Sequence, residues 1–134
     1  MLHPPRDFLD ATADEDDNSL VLKASLGDAA FLLTADIGAD GEAYLLDSDT
    51  DLRAPVLKVA HHGSRASTST AFLAAVEPLT AVISLGEDNR YGHPSPQTLD
   101  RLGTHPVFRT DLHGDVQITT NGHKLWIKTQ RGRG

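Results

Sequence analysis

The order of short apolar runs most constrains what this chain can fold into, because each run is strand-sized and is closed by turn or capping residues. Ser19 to Ala24 and Ala30 to Thr34 are β-type runs joined through Leu26-Gly27-Asp28, which reads as a hairpin. Ala39 to Leu46 is a short helical candidate weakened by Gly41, and Pro55 to Val59 is a compact strand leading into His61-His62-Gly63. Ser67-Thr68-Ser69 offers N-caps for a helix at Thr70 to Val76, where Phe72, Leu73 and Val76 share one face. Thr80 to Ser84 reads as a buried strand, and Ser95-Pro96 opens a helix that stops at Gly103. Val107 to Thr110, Asp115 to Thr120 and Lys124 to Lys128 close the chain as strands, with Asn121-Gly122 signalling a two-residue hairpin. Hairpin, β-α repeats and hairpin predict an α/β fold, a mixed sheet with flanking helices and antiparallel hairpins.

At 134 residues the chain is the size of one domain. It has no cysteine, so any metal must be held by His, Asp, Glu or backbone oxygen. A net charge of -7 argues against whole-surface attraction to nucleic acid, although a bound metal supplies local positive charge. No apolar run approaches the roughly 20 residues of a membrane helix, and the isolated chain is expected to be soluble. Residues 1–18 read as an extended acidic N-terminal segment, 19–129 as the folded unit and 130–134 as a flexible basic tail.

Several runs end in groups that bind metals. Asp36 follows the second strand, His61 and His62 follow the third, and His93 lies in the loop Tyr91-Gly92-His93-Pro94. Neutral imidazoles and carboxylates held at element ends suit a divalent metal with a position left open for water. Each residue also has a plainer role: Asp36 as a turn or cap residue, His61-His62 as a solvated turn, His93 as an ordinary loop residue. Their conjunction within one stretch of chain favours a metal-dependent hydrolase site.

The ordered series Asn18-Ser19-Leu20-Val21-Leu22, Leu32-Leu33-Thr34-Ala35-Asp36-Ile37, Leu57-Lys58-Val59-Ala60-His61-His62-Gly63-Ser64, Val82-Ile83-Ser84-Leu85-Gly86, Asn89-Arg90-Tyr91-Gly92-His93-Pro94 and Arg109-Thr110-Asp111-Leu112-His113-Gly114 carries a resemblance. It resembles the metallo-β-lactamase-fold domain at the C-terminus of ComEC-type competence proteins, the DNA-uptake channels of bacteria. The resemblance implies the C-terminal half of an αββα sandwich with its site at one edge. The family's first metal motif, His-x-His-x-Asp-His, occurs nowhere in this sequence, so an intact two-metal site is not encoded here.

Carried over by position, Asp36 resembles the metal-bridging aspartate, and His61-His62 resembles the later histidine ligand, with either member open as the ligand. His93 matches the Gly-His-Pro histidine that orients phosphate or shuttles a proton, and Ser64, Asn89 and Arg90 are candidate phosphate contacts. Two departures are Ala35, where the family usually has glycine, and Ala60, where it usually has proline. The implied cofactor is a divalent metal, Zn or Mn, two ions in the complete domain, which activate a bridging water for attack on a phosphodiester.

The implied partners are the upstream half of the domain, a membrane channel domain of the parent protein, and DNA, at the extracytoplasmic face of a bacterial membrane. Two alternatives stand beside this nuclease: a non-catalytic interaction module of a DNA-uptake complex, and a metallo-hydrolase with another substrate. An uncovered sheet face predicts a homo-oligomer or an adhesive monomer. The basic residues Lys124, Lys128, Arg131 and Arg133 read as a solvated strand face and tail, Asp14 to Asp17 as a solvated loop, and Trp126 as core.

Overall fold

The computed structural model describes residues 1–5 and 15–132. Strands β1 (Leu22–Leu26) and β2 (Ala29–Leu33) form the first hairpin around Gly27-Asp28, with Leu26 opposite Ala29. Helix α1 (Ala39–Asp47) precedes β3 (Val56–Lys58), α2 (Thr70–Val76) precedes β4 (Thr80–Ile83), and α3 (Pro96–Leu102) precedes β5 (Val107–Arg109). One further helical turn, α4 (Thr110–His113), leads to the second hairpin, β6 (Val116–Thr120) and β7 (Leu125–Thr129). The five-stranded sheet runs in the order β1-β2-β3-β4-β5, antiparallel at the first pair and parallel thereafter, and β6-β7 forms a separate sheet. This is the α/β mixed sheet with flanking helices and antiparallel hairpins that the apolar runs predict.

Register decides which residues meet. Leu32, Leu57 and Ala81 lie in one cross-strand row, and with Ala30 and Ile83 they belong to the same buried cluster as Leu45 of α1, Phe72 and Val76 of α2 and Leu102 of α3. The opposite face carries Phe31, Leu33, Val56, Lys58 and Val82, with Leu33 exposed. Val116 and Ile118 of the second hairpin approach this face and border with it a groove of about 280 Å³.

The helix starts follow the capping chemistry expected of them. Ser69 accepts the Phe72 N–H at 3.1 Å, and Ser95 accepts the Thr98 N–H at 3.1 Å. The Glu42 carboxylate of α1 accepts the N–H groups of Thr68 and Ser69, tying α1 to the start of α2. Burial holds the Glu42 carboxyl above its usual range against those hydrogen bonds.

Helix α1 is capped from a distance. Gly38 has no side chain for the task, and Asp17 supplies it: its Oδ1 accepts from Gly38 N at 3.1 Å and Gly41 N at 2.9 Å. Gly41 is weak by propensity but needed by contact, since a Cβ there would lie 2.5 Å from Ile37 Cγ1. Asp17 is held in turn by a strap: fully buried His3 bridges to Val21, and its Nε2 meets the Asp17 carbonyl at 2.6 Å.

Four expectations are corrected by this architecture. Glu15–Asn18 is a turn of 3-10 helix with Asp17 buried, not a solvated acidic loop; Asp14 lies outside the described residues. The second hairpin turns through 121–124 rather than two residues, because the Asn121 Oδ1 accepts from both His123 N and Lys124 N at 3.0 Å and widens the loop. Gln130 and Arg131 continue the backbone hydrogen bonding, to Asp115 and His113, where a flexible tail was expected. Trp126 is not core: β6-β7 pairing puts it opposite exposed Thr119 and leaves it 52% exposed, while Ile118 and Ile127 pair on the inner side. No helix of the described residues is long and apolar enough to cross a membrane.

Candidate metal centre

The ends of β2, β3 and β4 lie side by side because those strands are parallel neighbours, so the segments leaving them converge. Asp36 sits in the turn after β2. The chain after β3 folds into an irregular turn at Ala60–Gly63, tied by the His61 N–H to the Ala35 carbonyl at 2.9 Å. In it His61 and His62 have φ of 50° and 56°, and Gly63 follows at 84°. Three successive left-handed residues turn the two imidazoles in different directions.

The two histidines have different partners. His61 Nδ1 lies 3.6 Å from Asp16 Oδ2, and Asp16, Asp36 and His61 present one ligand atom each within 4.8 Å of one another. His62 Nδ1 is 2.6 Å from the Ser84 carbonyl, which accepts only if that nitrogen carries the proton. In the neutral ring Nε2 then keeps its lone pair, 3.6 Å from Asp36 Oδ1. A histidine tied at one nitrogen to a backbone carbonyl and open at the other is the arrangement that orients metal ligands. Asp36 therefore lies between two donor groups, one with Asp16 and His61, the other with His62. The chemistry and convergence of these donors fit a divalent ion held by nitrogen and oxygen.

His93 closes the cluster from the β4-α3 loop. Its ring centroid is 6.0 Å from that of His61 and is stacked against Tyr91 at 5.9 Å and 17°. Burial first, and the neighbouring His61 and His62 second, hold its pKa below the usual histidine value. Its Nδ1 is buried without a hydrogen-bond partner. His62, Ser84, Asn89, Tyr91 and His93 border a cleft of about 320 Å³. Lys58, at the end of β3, donates to the Val59 carbonyl at 3.0 Å; burial lowers its pKa while Asp36 acts to raise it.

The remaining sequence candidates are placed differently. Asn89 spans its own loop, accepting from His93 N at 3.0 Å and donating to the His93 carbonyl at 2.9 Å, so its amide positions His93. Ser64 is buried, and its hydroxyl accepts from Ala66 N at 3.3 Å. Arg90 is exposed on the loop and does not border the cleft. The structure thus gathers Asp36, His61, His62 and His93; Ser64 and Asn89 make local hydrogen bonds beside them, and Arg90 is exposed. Asp16 was missed as a donor. The signal was its place in the acidic run, whose position depends on the strap formed by His3 and Val21.

Ala35 adopts φ of 45°, a left-handed conformation that costs a residue with a Cβ about 1–2 kcal/mol. This accounts for the preference for glycine there in the resembled family. Ala35→Gly is expected to raise stability by about 1 kcal/mol, less the extra unfolded-state entropy of glycine, read from urea unfolding midpoints. An unchanged or lowered midpoint would show that the strain is absorbed elsewhere.

The chain is 40% identical over 107 residues to ComE operon protein 3 of Bacillus subtilis, covering 78% of this chain and 14% of that protein. It is 40% identical over 123 residues to competence protein ComA of Neisseria gonorrhoeae, covering 90% and 18% respectively. The chain is similar to one segment of competence proteins. Recombination protein 2 of Haemophilus influenzae matches at 32% over 122 residues, 90% of this chain and 15% of that protein. The chain spans less than a fifth of the length of these curated relatives. Their names support the competence-related, ComEC-type resemblance carried by the motif series. No family model matches the chain, and no solved structure matches it.

Proposed function

We propose that this chain supplies the second half of a metal-dependent hydrolase site in a metallo-β-lactamase-type domain, acting on DNA phosphodiesters during DNA uptake. The observation that carries the reading is Asp36 lying between two donor groups, with the His62 Nε2 lone pair turned toward it by the Ser84 carbonyl. These residues would hold Zn or Mn, which would supply a more acidic coordinated water and Lewis acidity toward a phosphoryl oxygen. Asp36 would be shared between two ions, His61 and Asp16 would hold one, and His62 the other. His93, its pKa held below the usual histidine value by burial and by His61 and His62, takes or passes a proton at the edge of the cleft.

The missing ligands belong to an upstream half, which on this reading packs beside the second hairpin against the part of the sheet face left exposed at Leu33. In the absence of that half, a second copy of the chain takes its place and the chain is an oligomer. The parent protein joins the domain to a membrane channel, with the site at the extracytoplasmic face. A second reading is a non-catalytic module of the same complex, favoured if the sequence upstream of this segment in the parent protein lacks His-x-His-x-Asp-His.

Calorimetric titration with Mn or Zn separates the two. The chain alone is expected to bind metal, Asp36→Ala to weaken binding at least about tenfold, and the upstream half to confer chelator-sensitive DNA hydrolysis. Metal binding that ignores Asp36→Ala would remove the centre. Metal binding by the two halves together without chelator-sensitive hydrolysis would favour the module.

A further inference from the structure

The outer face of the β6-β7 hairpin carries a second candidate binding site, unrelated to the metal centre. Trp126 stands 52% exposed at the middle of β7. Strand alternation places Lys128 on the same face, and exposed Lys124 ends the 121–124 turn two residues before the indole, so the two ammonium groups flank it along about 14 Å of chain. Across the ladder, Thr119 faces Trp126 and Gln117 faces Lys128, all exposed. The hairpin meets its need for burial on the other side, through Val116, Ile118, Leu125 and Ile127, so no packing requirement keeps a tryptophan outside. In a chain of net charge -7, a tryptophan flanked by two ammonium groups is a local reversal of sign. Asp115 lies at the far end of this row, and the nearby basic Arg131 is occupied by Glu87.

A flat aromatic face between cations suits a ligand with a π-face and regularly spaced negative charge. We propose that this hairpin face binds single-stranded nucleic acid, a base stacking on Trp126 while Lys124 and Lys128 contact the adjoining phosphates. A duplex hides its base faces, so the platform selects single strands. The face has no ordered set of donors for reading base edges, so binding tolerates any sequence. The site rests on the hairpin alone and stands or falls separately from the hydrolase reading.

Trp126 is the sole tryptophan, so its fluorescence reports the contact directly. Titrating the chain with a short oligothymidylate, and in parallel with an oligouridylate, is expected to quench it at low salt. A response to either supports the proposal, and their difference shows whether DNA or RNA is held better. With two phosphate contacts, log K should fall against log salt with a slope of about -1.4, and Lys124→Gln or Lys128→Gln should each remove about half of that slope. Anisotropy of a labelled oligonucleotide should show Trp126→Ala weakening binding about tenfold or more, with Trp126→Phe retaining most of it. Asp36→Ala should leave the quench unchanged. No quench, equal binding of duplex, or indifference to the Lys124 and Lys128 changes would overturn the proposal. So would a fluorescence shift that follows protein concentration alone, which would mean that a second copy covers Trp126.

Discussion

Gly63→Ala is expected to lower the unfolding free energy by about 3 kcal/mol and to weaken metal binding at the proposed centre. Gly63 has φ of 84°, and a Cβ built on it would lie 2.6 Å from Pro94 Cβ and 3.0 Å from Pro94 Cα. The left-handed backbone costs alanine about 1–2 kcal/mol. Forcing a methyl into the Pro94 ring adds about 1–3 kcal/mol of overpacking. The backbone there has little freedom to retreat, since the Gly63 carbonyl accepts from Ser95 N at 2.9 Å and Ser95 caps α3. Relief must come from the His61-His62 turn or the His93 loop, and either movement separates the donors. Urea unfolding and metal titration of the same variant measure both consequences. A variant with wild-type stability and wild-type metal affinity would show that the turn is softer than its geometry implies.

Phe72→Ala is expected to cost more, about 3–5 kcal/mol, the range for emptying an aromatic site in a core. Phe72 is fully buried on α2 among the cluster shared by the sheet and all three main helices. Leu79→Ala is the control, because Leu79 is exposed beside β4 and should change stability by no more than about 0.5 kcal/mol. Thermal unfolding of the pair measures the contrast. Equal loss in both would mean that the cluster is less tightly filled than its burial indicates.

The parts of the fold legible from sequence are those governed by neighbours along the chain. Ser69 and Ser95 mark helix starts because capping is local, and Gly103, at φ of 57°, marks a stop for the same reason. The strands are legible because buried parallel strands need short unbroken apolar runs, as at Leu57 and Ala81. What depends on register or distant contact is not legible. Trp126 and Leu125 are adjacent, and only the pairing of Thr119 with Trp126 shows which of them faces out. The same limit applies to the site. Asp36, His61, His62 and His93 stand out because their residue types end strands or sit in loops, whereas Asp16 becomes a donor only when the N-terminal strap brings it across. Asn89 looked like a phosphate contact by type, but its amide is consumed by the His93 backbone.

The strap also bears on how this fold can be moved from one protein to another. A transfer starting at Ser19, where the first β-type run begins, would look complete by hydropathy. It would leave behind the Asp17 carboxylate that holds two N–H groups of α1. It would also open a void where His3 is buried, and lose the Asp16 carboxylate beside His61. The smallest heritable module therefore includes His3, Asp16 and Asp17, and recombination junctions that preserve the proposed metal centre should fall on the N-terminal side of the strap.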